Sequence, residues 1–401
     1  MRKGLIFMKR TALLLIGCLL CSGCYIPEEF AETAREKVSA GTGDALGNED
    51  AFSNECSITL GEMISVCGGG VLIEGSRISI TEGGVYIISG ELGEGSVEVE
   101  SPDPVKLILN GAAISGEGTV IRSGGSLTVE SAEGTENSLF AAGDTALYAA
   151  ETLELCGTGA LSVTADGGKG IKAGSLGVTE CALTVVSEDD AIRVSGGAVV
   201  NGGSLDLSSL KGKGISADGD LTVNDGLLTV RQSTEGLESK AILTVNGGAV
   251  SITSSDDGLN AGGSDGAHTI EINGGFTLVD AEGDGLDSNG DIVMRGGTVI
   301  VFGPTHDRDG ALDCGEGHKI TVNGGTLLAL GNAAMAQTPE KNYLFETIRA
   351  KAGNVVSVVN ENGEEYLSIP ITKDAETAVF ANGENPAGLR IAVNPVNVLP
   401  E

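Results

Sequence analysis

The chain has no Trp, 3% aromatic residues, 9 prolines and 3 histidines. A globular core for 401 residues would draw on far more aromatic bulk, so a core of that kind is not expected. His268, His306 and His318 are scattered, and neither a Ser/His/Asp set nor a zinc set can be assembled around them. Positive charge is equally scarce: 24 Lys and Arg stand against 56 Asp and Glu, a net charge of −32. A surface of that sign repels phosphate and anionic membrane faces, so nucleic acid is not an expected partner, whereas divalent cations are attracted. Long apolar runs are also missing. The one at Ala12 to Leu20 is too short to span a bilayer.

That run follows Arg2, Lys3, Lys9 and Arg10 and closes on Leu20-Cys21-Ser22-Gly23-Cys24, which resembles a bacterial lipobox with Cys21 where Leu is usual. Residues 1–23 are expected to be a lipoprotein signal peptide, with Cys24 as the lipidated residue. The alternatives are lipidation at Cys18 or an ordinary secretory signal; in each case the mature chain is exported, and it meets the membrane only through a lipid. Residues 24–55 are polar and acidic and read as a linker. Five further cysteines follow at 56, 67, 156, 181 and 314. Cys56 and Cys67 could close a small loop; a bridge between Cys156 and Cys181 is doubtful, because the two fall two positions apart on neighbouring repeats.

What the chain has in excess is Gly, 63 residues of it, arranged with a period. An aliphatic anchor recurs at Leu147, Ile171, Ile192, Ile215, Leu237, Leu259, Leu286 and Leu312, with gaps of 24, 21, 23, 22, 22, 27 and 26 residues. The residue before each anchor is Gly or Ala. After each anchor come two further short runs, such as Leu243-Thr-Val and Ala249-Val-Ser-Ile, joined through an Asn-Gly-Gly turn. Period-two alternation in short runs makes strands, and a period in the twenties makes a solenoid whose coils bury one common column. The expected fold is all-β, a parallel β-helix over residues 56–333 of roughly a dozen coils, with a small C-terminal β cap over 334–401. Tyr343 to Ala352 could be a short helix or a further strand. Asn201, Asn224, Asn246, Asn273 and Asn323 share one turn position, interrupted by Arg295, and read as a hydrogen-bonded scaffold ladder.

Chemistry is expected beside the anchors. Two positions before them stand Lys169, Asp190, Lys213, Glu235, Asp257 and Asp284; one position after stand Lys172, Arg193, Glu238, Asp287 and Asp313; Asp256 and Asp309 lie close by. Stacked carboxylates about 5 Å apart repel. Ca²⁺ would offset them, since it takes six to eight hard oxygen ligands, so Glu235, Glu238, Asp256, Asp257, Asp284, Asp287, Asp309 and Asp313 are candidate metal ligands. The competing reading is a solvated acidic edge. The spacing is not that of an EF-hand loop. Lys169, Lys172, Arg193 and Lys213 could hold the carboxylates of an acidic polysaccharide, or could merely pair with acids of the next coil.

Glu133-Gly134-Thr135-Glu136-Asn137-Ser138-Leu139, the Asp256–Ala261 and Gly283–Ser288 turns, Gly296-Gly297-Thr298-Val299 and Met335-Ala336-Gln337 resemble the bacterial carbohydrate-binding lipoproteins built as a parallel β-helix. The resemblance runs from about Cys56 to the end. It implies a right-handed, pectate-lyase-like helix, Ca²⁺ as cofactor and a plant cell-wall polysaccharide, such as polygalacturonate or cellulose, as partner. The expected protein is a monomeric, lipid-anchored cell-surface binder of acidic polysaccharide. Two rivals accompany it. One is a calcium-dependent pectate lyase with Lys213 as base, which requires a lowered Lys213 pKa. The other is a structural or adhesive rod with no glycan ligand.

Overall fold

A computed structural model describes residues 54–264 and 266–394. The expected signal segment, Cys24 and nearly all of the expected linker lie outside the described residues. Within them every regular element is a strand. The chain winds into a β-solenoid of about 10 turns with mostly parallel strands, somewhat fewer turns than the dozen expected from the period. At about 4.8 Å per turn the stack is roughly 48 Å long.

Each regular coil contributes three strands. In one coil these are Leu237–Ser239, Ile242–Val245 and Ala249–Ser254. Each pairs in parallel with its counterpart one coil on, so Leu237 stacks on Leu259, Leu243 on Ile270 and Val250 on Thr277. All eight anchors are buried, at 0 to 1% exposure, in one continuous core with the inward residues of the other two strands. A single coil has no partner for its apolar face, so stability resides in the stacking.

The small residue before each anchor has a packing reason. A Cβ on Gly214, Gly236, Gly258 or Gly285 would overlap Val230, Ile252, Val279 or Val301 of the third strand and the next coil's carbonyl. One coil beyond Gly285 the column holds Ala311, and there Ala329 replaces Val301 in register. Volume lost on one strand is thus returned on the other.

The Asn column forms as expected. Asn224 donates to Asn201, Asn246 to Asn224 and Asn273 to Asn246, each at 2.8 Å. Arg295 then donates to the Asn273 carbonyl oxygen at 3.0 Å and ends the run.

At the N-terminal end Glu55–Leu60 pairs in parallel with Gly84–Leu92 and antiparallel with Ser65–Cys67. That register sets Cys67 opposite Ser57, leaving Cys56 buried in the core and Cys67 exposed. All five described cysteines are free thiols, so no Cys56–Cys67 bridge closes a loop.

Tyr343–Ala350 is a strand and not a helix. Ala375–Ala381 pairs antiparallel with it and with Thr326–Gly331, the last third strand, and so covers the open sheet edge. Val355–Asn360, Glu365–Pro370 and Leu389–Val393 form a separate antiparallel sheet, its hairpin turning through Gly363 at φ 80°. The C-terminal strands also build a second core. Phe276, Leu278, Ile300, Phe302, Leu328 and Leu330 point out of the solenoid and pack against Val356, Val358, Ile369 and Phe380.

The interlock of Gly and β-branched columns is testable by calorimetry. Gly258→Ala should cost about 1–3 kcal/mol by overpacking. Ala191→Gly, which creates no overlap, should cost less than about 1 kcal/mol. Equal melting temperatures for the two variants would contradict the packing described.

Candidate functional site

The turns before the anchors stack through backbone hydrogen bonds. Gly214 N–H donates to the Glu235 carbonyl, Gly236 to Asp257 and Gly258 to Asp284. The strands after them stack in register, giving one column that runs Glu98, Arg122, Tyr148, Lys172, Arg193, Ser216, Glu238, Asn260, Asp287, Asp313. Side chains on one edge therefore meet their counterparts from the neighbouring coils, whatever their charge.

In the middle coils the charges alternate and cancel. Lys169 pairs with Asp189 and, at 3.0 Å, with Asp190. Arg193 reaches Asp218 at 2.6 Å and Ser216 at 2.9 Å. Lys213 bridges Glu238 at 2.5 Å and Glu235 at 3.1 Å. Burial raises the Glu235 pKa, and Glu238 and Asp257 add to this against Lys213. Burial acts in the same direction on Glu238, but there Lys213 and the Ser216 hydroxyl overcome it and the pKa ends below its ordinary value. The shorter contact identifies Glu238 as the principal partner. Desolvation opposes the charge on Lys213, yet the two carboxylates outweigh it and raise its pKa. The lyase expectation called for the opposite shift at Lys213, whose ammonium is here held by two acids.

Two coils further the alternation ends. Asp284, Asp287 and Asp313 are half-buried, and one carboxylate oxygen from each lies within 4.8 Å of the others. Asp257 adjoins them: its Oδ1 accepts the Asp284 N–H at 2.9 Å and its Oδ2 accepts from Asn260 at 3.0 Å. Asp284 Oδ1 accepts the Gly310 N–H at 2.5 Å, and Asp313 Oδ1 accepts from Gln337. Lys213, up this edge, is already committed to Glu235 and Glu238. Burial pushes Asp257 up to about 6 and Asp284 and Asp287 up to about 7, with the neighbouring carboxylates adding to it against the two backbone donors. Asp256 and Asp309 stand outside the cluster, Asp309 facing His306 at 3.6 Å. They act on it through charge, Asp256 raising Asp257 and Asp309 raising both Asp257 and Asp284.

The carbohydrate-binding domain-containing protein family matches residues 74–301 and, overlapping these, 202–333, together more than half of the chain. The chain belongs to this family. Its match covers both the alternating edge and the acid cluster. Among solved structures, a polysaccharide lyase-like protein from C. thermocellum, a gadolinium derivative, is similar over 68% of this chain and 99% of that chain, at 19% identity and a TM-score of 0.34. No curated protein matches.

Of the eight acids singled out in this family member's sequence, three meet in one cluster with Asp257 beside them, two are taken by Lys213 and two stand outside. Of the four bases, Lys169, Arg193 and Lys213 are neutralised; Lys172 lies over the Tyr148 ring, 5.8 Å from its centroid. Sequence reasoning missed Gln337 as the group that holds Asp313, because Gln337 lies where the repeat has lapsed. It missed Arg122 for a related reason, since the early coils are irregular.

Removing Lys213 would leave Glu235 and Glu238 as half-buried, unpaired neighbours. Lys213→Ala should destabilise the fold by about 2 kcal/mol at pH 7. Glu238 has a lowered folded-state pKa, so its contribution is present above the unfolded value and is lost as pH falls through the folded one. The penalty should therefore shrink in melts at pH 4; a penalty that grows there would count against the pairing.

Proposed function

We propose that the protein is an exported lipoprotein, anchored through Cys24, that binds an acidic polysaccharide with the aid of Ca²⁺ held at Asp284, Asp287 and Asp313. The observation that carries the reading is the unneutralised carboxylate cluster that follows the charge-paired middle coils on the edge of a carbohydrate-binding family member. The residues fit the ion. All donors are hard oxygens, and at Ca–O distances of about 2.4 Å two opposed ligands stand about 4.8 Å apart, the span within which these oxygens lie. Asp287 accepts no hydrogen bond among the described residues, which leaves both its oxygens for a cation.

When bound, Ca²⁺ would supply positive charge with open positions for a uronate carboxylate or sugar hydroxyls. The protein's own residues set that arrangement. Gly310 and Gln337 each occupy one oxygen, of Asp284 and Asp313 respectively, which leaves the other for a cation. Asn260 and the Asp284 N–H hold Asp257 at the margin. Exposed aromatic platforms are scarce on this face, which favours an acidic, metal-bridged chain such as polygalacturonate over crystalline cellulose.

Pull-down of the full chain on polygalacturonate and on cellulose, with calcium and with chelator, tests this. Retention on polygalacturonate should drop about tenfold on chelation, and Asp287→Asn with Asp313→Asn should reproduce that drop in calcium. Indifference to both ligand and chelator would end the reading and leave a structural rod.

A further inference from the structure

The same column that carries the acid cluster holds a second, oppositely charged feature near its other end. Arg122 and Lys172 are exposed and flank Tyr148 in register, one coil before and one coil after. The Arg122 guanidinium carbon is 4.9 Å from the Tyr148 ring centroid, and the Lys172 ammonium is 5.8 Å from it. Among the described residues neither cation has a carboxylate within ion-pairing reach. Glu98 is next in register to Arg122 and makes no pair with it. The nearby Asp144 and Glu151 are engaged by Thr119 and Ser126, both at 3.1 Å.

The contrast with the next coils is chemical. Lys169, Arg193 and Lys213 are held in place by carboxylates, which cancel their charge and occupy their donors. Arg122 and Lys172 are held by an aromatic face, which positions a cation without neutralising it and leaves its N–H groups free. In a chain of net charge −32, this is a strip of ordered, available positive charge. Pre-positioning lowers the cost of ordering long side chains when a ligand arrives. The Arg fork suits a carboxylate, and Lys adds a point charge about 10 Å away, two coils at about 4.8 Å each.

We propose that Arg122, Tyr148 and Lys172 form a second glycan subsite that binds carboxylate groups of an acidic polysaccharide directly, without a metal ion. This deepens the function proposed above. Lys172 and Asp287 lie on one straight column, five coils or about 24 Å apart, so one extended polymer laid along the solenoid can engage both. The metal cluster takes carboxylates through a cation, and this strip takes them through its own side chains. The Tyr148 hydroxyl adds a polar group between the two charges.

The test is affinity electrophoresis of the full chain in polygalacturonate gels containing chelator, with neutral dextran as control. Wild type should keep a weak, salt-sensitive retardation in polygalacturonate alone. Arg122→Gln with Lys172→Gln should weaken it about tenfold, while Arg122→Lys with Lys172→Arg should keep it. Lys351→Gln, which removes an exposed base on the C-terminal strands, should leave this chelator-resistant part unchanged. Arg122 and Lys172 are exposed, and unchanged melting temperatures will show that the variants fold. Wild type without chelator-resistant binding, or a Gln pair that binds like wild type, would overturn the proposal. Failure of the calcium-dependent part alone would overturn the metal reading and leave this one standing.

Discussion

Parallel strands stacked in register oblige each side chain to face the same position of the coil above and the coil below, about 4.8 Å away. Apolar positions benefit from this without limit, and the aliphatic anchors form one core from end to end. Polar positions benefit only where a group can satisfy its own kind. A side-chain amide donates on one side and accepts on the other, so Asn201 to Asn273 form a self-sustaining chain. A carboxylate cannot do so, and charge on this lattice has to be managed coil by coil.

The edge beside the anchors manages charge in three ways. Where acids and bases alternate, they cancel, and the bases become scaffold. Where an aromatic ring stands between two cations, the charge is positioned and kept. Where acids follow acids, burial together with the neighbouring carboxylates pushes Asp284 and Asp287 up to about 7, and the few backbone and side-chain donors do not offset it. Folding energy drives the first arrangement; the other two retain unbalanced charge on the outside of a rigid rod, where a ligand can reach it.

The period, the three strands per coil and the Asn ladder were legible because each is a repeated local pattern, and repetition on a solenoid is itself spatial information. The acid cluster was legible for the same reason, as a column, though not its membership. Whether Glu235 faces Asp257 or Lys213 depends on side-chain direction, which spacing does not encode. The docking of the C-terminal strands on the outer face of the solenoid went unread, although a signal was present: Val299 to Phe302 and Leu327 to Leu330 are continuous apolar runs. Such a run marks a strand buried on both faces.

The central claim, that like charges are held in register without a counter-charge, is tested most directly by the stability of Asp287→Asn against pH with all calcium chelated. In the fold this carboxyl is pushed up to about 7, while an unfolded Asp loses its proton near about 3.9, so between these values the folded state holds a proton that the unfolded state has released. Stability therefore falls as pH rises through that window, and the neutral amide escapes the loss. The variant and wild type should draw together only below about pH 4, under the whole window, and the variant should melt several degrees higher at pH 8. A wild type that is the more stable of the two at pH 8 would contradict the account.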